Sequence, residues 1–297
     1  MTDSEVSTTN VGGKVIACID ESRYAESVCD YALWSAGRME APLSLLHVIP
    51  HPPGGRVDSE QNLSGTIGFG AKSRLLEELA DLDAQRSRLE VEHGRHLLAA
   101  ALERMAGESL TSIETRQRHG DLVDALIAVE PETRMFVVGK RGADTEGDHG
   151  HLGGHLEHII RALRRPVLIA QQSFSPPGRF LFAHDGSETA RKGVDIVAAS
   201  PLLQGIPCHV VSAGSNSTQI ATALEEAGRV LASAGFDVTT AVVSGEPETA
   251  LPRYHAEHDI DLLIMGAYGH SRVRRFFLGS TTADMIRNCT ISLMVLR

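Results

Sequence analysis

The sequence predicts an α/β protein built from two tandem, doubly wound parallel-sheet domains. Three observations carry that prediction. The opening segment "VIACIDESRYAESVCDYALWSA" from Val15 returns as "FLFAHDGSETARKGVDIVAASP" from Phe180. At this constant offset of 165 residues, Asp20 falls on Asp185, Ser22 on Ser187, Ala25 on Ala190 and Asp30 on Asp195. Within each copy, apolar runs alternate with stretches of helical periodicity, the pattern of parallel strands joined by crossover helices. Between the copies lies "QQSFSPPGR", Gln171–Arg179, whose prolines and glycine mark a linker. The expected domains are therefore residues 1–172 and 178–297.

The second copy reads most clearly. "RFLFAH" is an apolar run ended by Asp-Gly-Ser, and Asp185 or Ser187 can cap the exposed amides of the helix "ETARKGVDIVAAS". "CHVVSA" is the next strand. "STQIATALEEAGRVLASAG" has helical apolar spacing and a closing Gly235. "DVTTAVVSG" is a strand, and "PETALPRYHAEHD" a helix that starts near Pro247 and meets Pro252 inside. "DLLIMGA" is continuously apolar, as a strand buried on both faces should be. "STTADMIRNC" then gives a helix and "ISLMVL" a last strand.

The first copy follows the same order with an insertion between "LSLLHVI" (Leu43–Ile49) and "SIETRQRHG" (Ser112–Gly120). The insertion holds a Gly/Pro-rich loop and a helical stretch from about Ser73 to Met105. Leu75, Leu79, Leu82 and Leu89 form one apolar stripe on it, expected to pack against the domain, with an exposed partner-binding helix as the alternative. Its charge-rich face reads as solvated.

Composition narrows the function. A net charge of -10 disfavours nucleic acid, because phosphate contacts need a basic surface. At 4% aromatic residues a base-stacking platform is also disfavoured. Cys18, Cys29, Cys208 and Cys289 are scattered without metal or redox spacing and read as reduced, buried thiols. The polar, acidic N-terminus lacks the features of a secretory signal, and no apolar run approaches membrane-spanning length. A cytoplasmic protein with no membrane partner is the expectation.

The segment "GAYGHSRVRRFFLGSTT", Gly266–Thr282, leaves the end of a buried strand and opens a helix. A helix N-terminus presents unpaired amides and the positive end of its dipole to an anion. Gly266, Gly269 and Gly279 allow backbone to approach a ligand closely, Ser280, Thr281 and Thr282 add hydroxyls, and Arg272, Arg274 and Arg275 make the loop basic. These parts suit a polyphosphate.

Two residues separate Gly266 from Gly269, nine separate Gly269 from Gly279, and Ser280 follows. This spacing resembles the G-2x-G-9x-G-(S/T) nucleotide signature of the universal stress protein family. The strand ending "AHDGSE" and the size of the repeat unit are similar to that family too, and the resemblance covers nearly the whole chain as a tandem member. It implies Rossmann-like, adenine nucleotide alpha hydrolase-like domains that bind ATP or ADP, with Mg²⁺ as a companion ion. It also implies a homo-oligomeric, often dimeric habit, which a tandem chain can meet as an intramolecular pseudo-dimer with "ISLMVL" paired to "PVLIA", use in stress or energy-state signalling through a regulatory protein partner, and at most weak ATPase activity. Carried over residue by residue, it implies contacts at Ala183, Asp185, Ala213, Met265, Gly266, Gly269, Gly279, Ser280, Thr281 and Thr282. Asp185 serves equally well as a nucleotide or Mg²⁺ contact or as a mere helix cap. No catalytic residue and no metal site is assigned: there is no nucleophile elbow, no GxxxxGK(S/T) loop and no evident base for a water. The rival readings are an interaction scaffold of the same fold that binds no nucleotide, and a slow ATP hydrolase.

The first copy departs from the signature. Asp20, Val48, Gly139 and Gly142 fit their places, but eleven residues separate Gly142 from Gly154, and His155 replaces the hydroxyl. Asp144, Glu146 and Asp148 would repel phosphate. The histidines of "DHGHLGGHLEH", His149, His151, His155 and His158, read as a polar loop and exposed helix face in preference to a Zn²⁺ or Ni²⁺ site. His255 and His258 read as solvent-exposed.

Overall fold

The computed structural model describes residues 12–50, 69–107, 112–142, 154–267 and 280–297. The first half contains β1 (Lys14–Cys18), α1 (Ala25–Met39), β2 (Leu43–Ile49), α2 (Phe69–Arg104), β3 (Ile113–His119), α3 (Leu122–Val129), β4 (Thr133–Gly139), α4 (Gly154–Ala162) and β5 (Val167–Ala170). The second contains β6 (Phe180–Ala183), α5 (Glu188–Ala199), β7 (Cys208–Ala213), α6 (Thr218–Ser233), β8 (Val238–Val243), α7 (Pro247–Glu257), β9 (Leu262–Gly266), α8 (Ser280–Asn288) and β10 (Ser292–Leu296).

All ten strands form one sheet in the order β3-β2-β1-β4-β5-β10-β9-β6-β7-β8. Each half is parallel throughout. The halves meet where β5 and β10 pair antiparallel, with Leu293 opposite Ile169 and Val295 opposite Val167. The final strand of each copy thus covers the edge that the other would leave open. In both halves the strand order reverses at the first strand, between β1 and β4 and between β6 and β9. A crevice opens at the carboxyl ends of the strands at such a switch point.

Helices cover both faces because the inner strands are apolar on both, whereas the edge strands β3 and β8 are part-polar and half-exposed. Val15, Ala17, Phe180 and Phe182 join one core layer under α1, α5, α6 and the C-terminal part of α2. Ile16, Phe136, Leu181 and Leu263 join the other, under α3, α4, α7 and α8. Both layers run through the two halves without interruption. Phe136, Phe180 and Phe182 are wholly buried, and each contributes about 1.5–3 kcal/mol of transfer free energy.

The helix starts follow side-chain chemistry. Asp121 caps α3 by accepting from the amides of Val123 and Asp124, at 2.8 and 3.1 Å. Ser187, rather than Asp185, caps α5, accepting from Ala190 N at 3.1 Å, and Ser217 caps α6. Gly235 closes α6 at φ +90°. Pro247 lies in the first turn of α7, and Pro252 is accommodated inside it.

The 36-residue α2 departs from its expected packing. Leu98, Ala101 and Met105 are buried, but Leu79, Leu82 and Leu89 are 46%, 60% and 71% exposed. The helix is about 54 Å long at 1.5 Å per residue. It meets the sheet at Gly94, where an added Cβ would lie 2.6 Å from the His47 ring and 2.1 Å from Gln117 Nε2. Toward the helix N-terminus from there, residues 77–89 are all exposed.

Candidate functional site

In the second half, β6 and β9 are neighbours, and Ala183 lies opposite Met265 in register. Ala213 ends β7 on the other side of β6. These three side chains, with Val243 of β8, belong to the α7/α8 face of the sheet. They give the carboxyl end of the strands a small apolar wall. Met265 is buried, whereas Ala183 and Ala213 are half-buried and open toward the crevice.

After β6 the chain turns sharply. Gly186 adopts φ +79°, a conformation unfavourable for any residue with a Cβ. Its amide donates to His184 Nδ1 at 3.1 Å, and Arg191 Nη2 donates to its carbonyl at 3.1 Å. This turn presents Asp185 at the exposed rim, where its Oδ1 accepts from Ser187 N at 3.0 Å. The carboxylate therefore has a structural task beside any ligand contact.

Gly266 ends β9, and Ser280 opens α8. Gly269 and Gly279 lie outside the described residues, as do Arg272, Arg274 and Arg275 of the same loop. Thr281 is exposed, while Thr282 is buried and donates its hydroxyl to Ala267 O at 3.2 Å. That bond staples the start of α8 to the end of β9. Thr282 accordingly holds the two sides of the loop together.

The first half contains a cavity of about 490 Å³ at the equivalent place. Val48, Val138, Leu156 and Ile159 are among its apolar walls, and Asp20, Lys140, Arg141 and His155 are among its polar ones. Both glycines are there for closeness. An added Cβ at Gly139 would lie 2.8 Å from Tyr24 Cβ, and one at Gly142 would lie 3.2 Å from Asp20 Oδ2. Asp20 is held in the turn by Ser22, whose amide and hydroxyl donate to Oδ1 at 3.1 and 2.6 Å. His155 lines the cavity from α4, at the position expected of it. His149 and His151 lie outside the described residues, and among those described no group of three or more His, Cys, Asp or Glu could hold a metal.

Three further residues carry no motif signal. Lys140 stands between Gly139 and Gly142, and its Nζ crosses to the second half to donate to Cys289 O at 2.6 Å. Burial pulls its ammonium below the ordinary lysine value, and Arg141 pulls the same way. Gln171 Nε2 donates to Cys289 O at 2.9 Å and to Ile291 O at 3.0 Å. Arg297 Nη1 donates back into the first half, to Arg161 O and, at 3.2 Å, to Leu163 O. The only sequence signal for Gln171 and Arg297 is shared position, since each follows the last strand of its copy.

Comparison with known proteins agrees with this architecture. The universal stress protein family model matches residues 13–171 and again residues 177–297. Universal stress protein Slr1230 of Synechocystis sp. (strain PCC 6803) is 34% identical over 285 residues, 95% of this chain and 99% of the relative. Among solved structures, a universal stress protein from Archaeoglobus fulgidus DSM 4304 superposes with a TM-score of 0.64 at 20% identity, covering 96% of this chain and 98% of that one. A functionally unknown protein from Pseudomonas aeruginosa PAO1 gives a TM-score of 0.60 at 19% identity, with 95% and 92% covered.

Proposed function

The chain belongs to the universal stress protein family, and from that premise we propose that its C-terminal half binds ATP or ADP and acts as a nucleotide-linked sensor or regulator in the cytoplasmic stress response. One observation carries the reading. The register that sets Ala183 beside Met265 also ends β9 at Gly266, and α8 starts across the same crevice at Ser280. Adenine would rest on the apolar wall of Ala183, Ala213 and Met265. The phosphates would meet the first amides of α8, where the dipole favours an anion. The glycines at 269 and 279 and the Ser280 and Thr281 hydroxyls would complete that cradle. Asp185, at the rim, is placed for the ribose or for Mg²⁺. The proposed role is binding, with slow ATP hydrolysis as the rival, because no base is evidently placed in the sequence to activate water.

A second reading has its own support. The cavity of the first half falls within the roughly 300–1,000 Å³ of small-molecule sites, so a second ligand there is compatible with the fold. Stoichiometry separates the two.

The test is direct. Protein purified without added nucleotide is denatured, the released small molecules are identified, and stripped protein is titrated with MgATP by calorimetry. One adenine nucleotide per chain, weakened at least tenfold by Gly279→Val and Ser280→Ala, supports the C-terminal site. Two per chain support both halves. Ligand at a hundred times its dissociation constant stabilises the native state by about 2.7 kcal/mol. No released nucleotide, together with a melting temperature indifferent to millimolar MgATP, refutes the reading and leaves an interaction scaffold.

A further inference from the structure

The last helix of each half begins at its own half's site and ends on groups from the other half. Helix α4 starts with the cavity-lining residues His155, Leu156 and Ile159. It ends under Arg297, which donates to the carbonyls of Arg161 and Leu163. Helix α8 starts at Ser280, Thr281 and Thr282. It ends under Lys140 and Gln171, which both donate to the carbonyl of Cys289. Leu163 and Cys289 hold matching places, each the first residue beyond its helix and just before the last strand. Each bonds its amide back into its helix, to Ile159 O at 3.0 Å and to Met285 O at 2.8 Å. The pattern is reciprocal across the antiparallel β5–β10 seam.

A helix end leaves carbonyls without intrahelical partners, and it carries partial negative charge. A cation there stabilises the helix and complements an anion at the opposite terminus. Lys140 meets that need from outside the domain that owns the helix. Its ammonium is partly buried and sits on the carbonyl at 2.6 Å, so solvent screens the interaction less than it would at the surface.

We propose that Lys140 of the N-terminal half, seconded by Gln171, is a positioning residue for the nucleotide site of the C-terminal half: it fixes α8 from its far end and so holds the Ser280–Thr282 terminus in register with Gly266. The proposal rests on the reading that the C-terminal half binds ATP. It gives the first half a function in the second site, through a lysine that also lines its own cavity. It also assigns the corresponding task for the first half's cavity to Arg297, through α4.

The experiment uses the full chain, stripped of nucleotide, and compares wild type, Lys140→Met, Lys140→Arg and Arg297→Met. Calorimetric titration with MgATP reads affinity, and hydrogen–deuterium exchange reads the last turns of α8 and α4. Removing a cation from a partly buried helix terminus weakens what that helix supports by about threefold to tenfold. The expected result is that loss of MgATP affinity in Lys140→Met, recovery in Lys140→Arg and no change in Arg297→Met. Exchange should quicken at the end of α8 in Lys140→Met and at the end of α4 in Arg297→Met. Wild-type affinity in Lys140→Met overturns the proposal, and so does an equal loss in Arg297→Met, which would be general loosening. Should wild type bind no MgATP, the ATP reading fails and the claim on affinity falls with it. The exchange data then still decide whether Lys140 holds α8, and unchanged α8 protection in Lys140→Met removes the clamp itself.

Discussion

Three helix glycines let packing be weighed against helix propensity within one molecule. Replacing glycine by alanine in a helix interior gains about 1 kcal/mol from propensity alone. Gly37 of α1 has nothing within 4 Å of an added Cβ, so Gly37→Ala should keep most of that gain. At Gly228 of α6 the new methyl would meet Thr240 Cγ2 at 3.1 Å. Thr240 is exposed and can turn away, so Gly228→Ala should be neutral to mildly stabilising. Gly193 of α5 is different. Its Cβ would lie 2.9 Å from Phe182 Cζ and 3.3 Å from Leu296 Cδ1, and Phe182 is wholly buried. Overfilling a packed core costs about 1–3 kcal/mol, which outweighs the propensity gain. Gly193→Ala should therefore lose about 1 kcal/mol net, although the substitution by itself favours the helix. Urea midpoints of the three variants, measured side by side, should rank Gly37→Ala at or above Gly228→Ala, then wild type, then Gly193→Ala. Adding Phe182→Leu should remove most of the Gly193→Ala penalty, since neighbours in contact are not additive. A Gly193→Ala variant as stable as Gly37→Ala, or a penalty untouched by Phe182→Leu, would refute the reasoning.

Two further predictions concern pH. Arg116, with help from Lys14, holds the Glu132 carboxyl down at about 2. A lowered folded value means that the stability is present above the ordinary carboxylate value of 4.5 and is lost as pH falls through about 2. The side chains are 26–40% exposed, so solvent limits the contribution to about 1 kcal/mol or less. Urea midpoints from pH 6 to pH 3 should fall more steeply for wild type than for Glu132→Gln, and parallel slopes would count against this network. Burial also lowers the pKa of His184, whose Nε2 has no hydrogen-bond partner among the described residues. A neutral folded histidine contributes stability above pH 6.5 that is lost as pH falls. His184→Ile, which copies the buried Ile19 of the first half, should flatten the pH dependence between 7 and 5; an unchanged slope there would count against it.

Most of the fold was legible because the repeat and the apolar runs are local signals; the β5–β10 pairing was expected only on the family resemblance, and its antiparallel sense is a finding of the structure. What was not legible depends on distance in the chain. The stripe on α2 read as a packing face because periodicity reports one-sidedness, not whether anything lies opposite. Leu79, Leu82 and Leu89 remain exposed because the helix runs on past the sheet, and that depends on where Gly94 touches His47 and Gln117. The spacing from Gly266 to Ser280 pointed to the crevice, yet the cavity at Gly139 and Gly142 persists in the copy whose spacing is broken. Strand ends, close glycine contacts and the first turns of α4 wall that cavity, and none of these needs the nine-residue spacing of the motif. Lys140 and Cys289 are 149 residues apart, and no local pattern links such a pair.

That long-range pair changes what the duplication accomplishes. Two copies of this fold joined only by a linker would be two independent sites. Here the linker itself is packed: Ser27 Oγ donates to Gln171 O, and Tyr31 stacks edge-on against Phe174 at 4.7 Å between ring centroids. Arg38 of α1 donates to Leu202 O at 2.9 Å, a further bond between the halves. With β5 on β10 and both core layers continuous, neither half can shift without disturbing the other's last strand. A divergent first copy is therefore not spare. Even with His155 where a hydroxyl would stand, it retains the edge strand, the lysine and the glutamine that fix the end of α8. Lys140 lines the first half's own cavity and also reaches the end of α8, so the divergence at His155 spares a residue that both halves use.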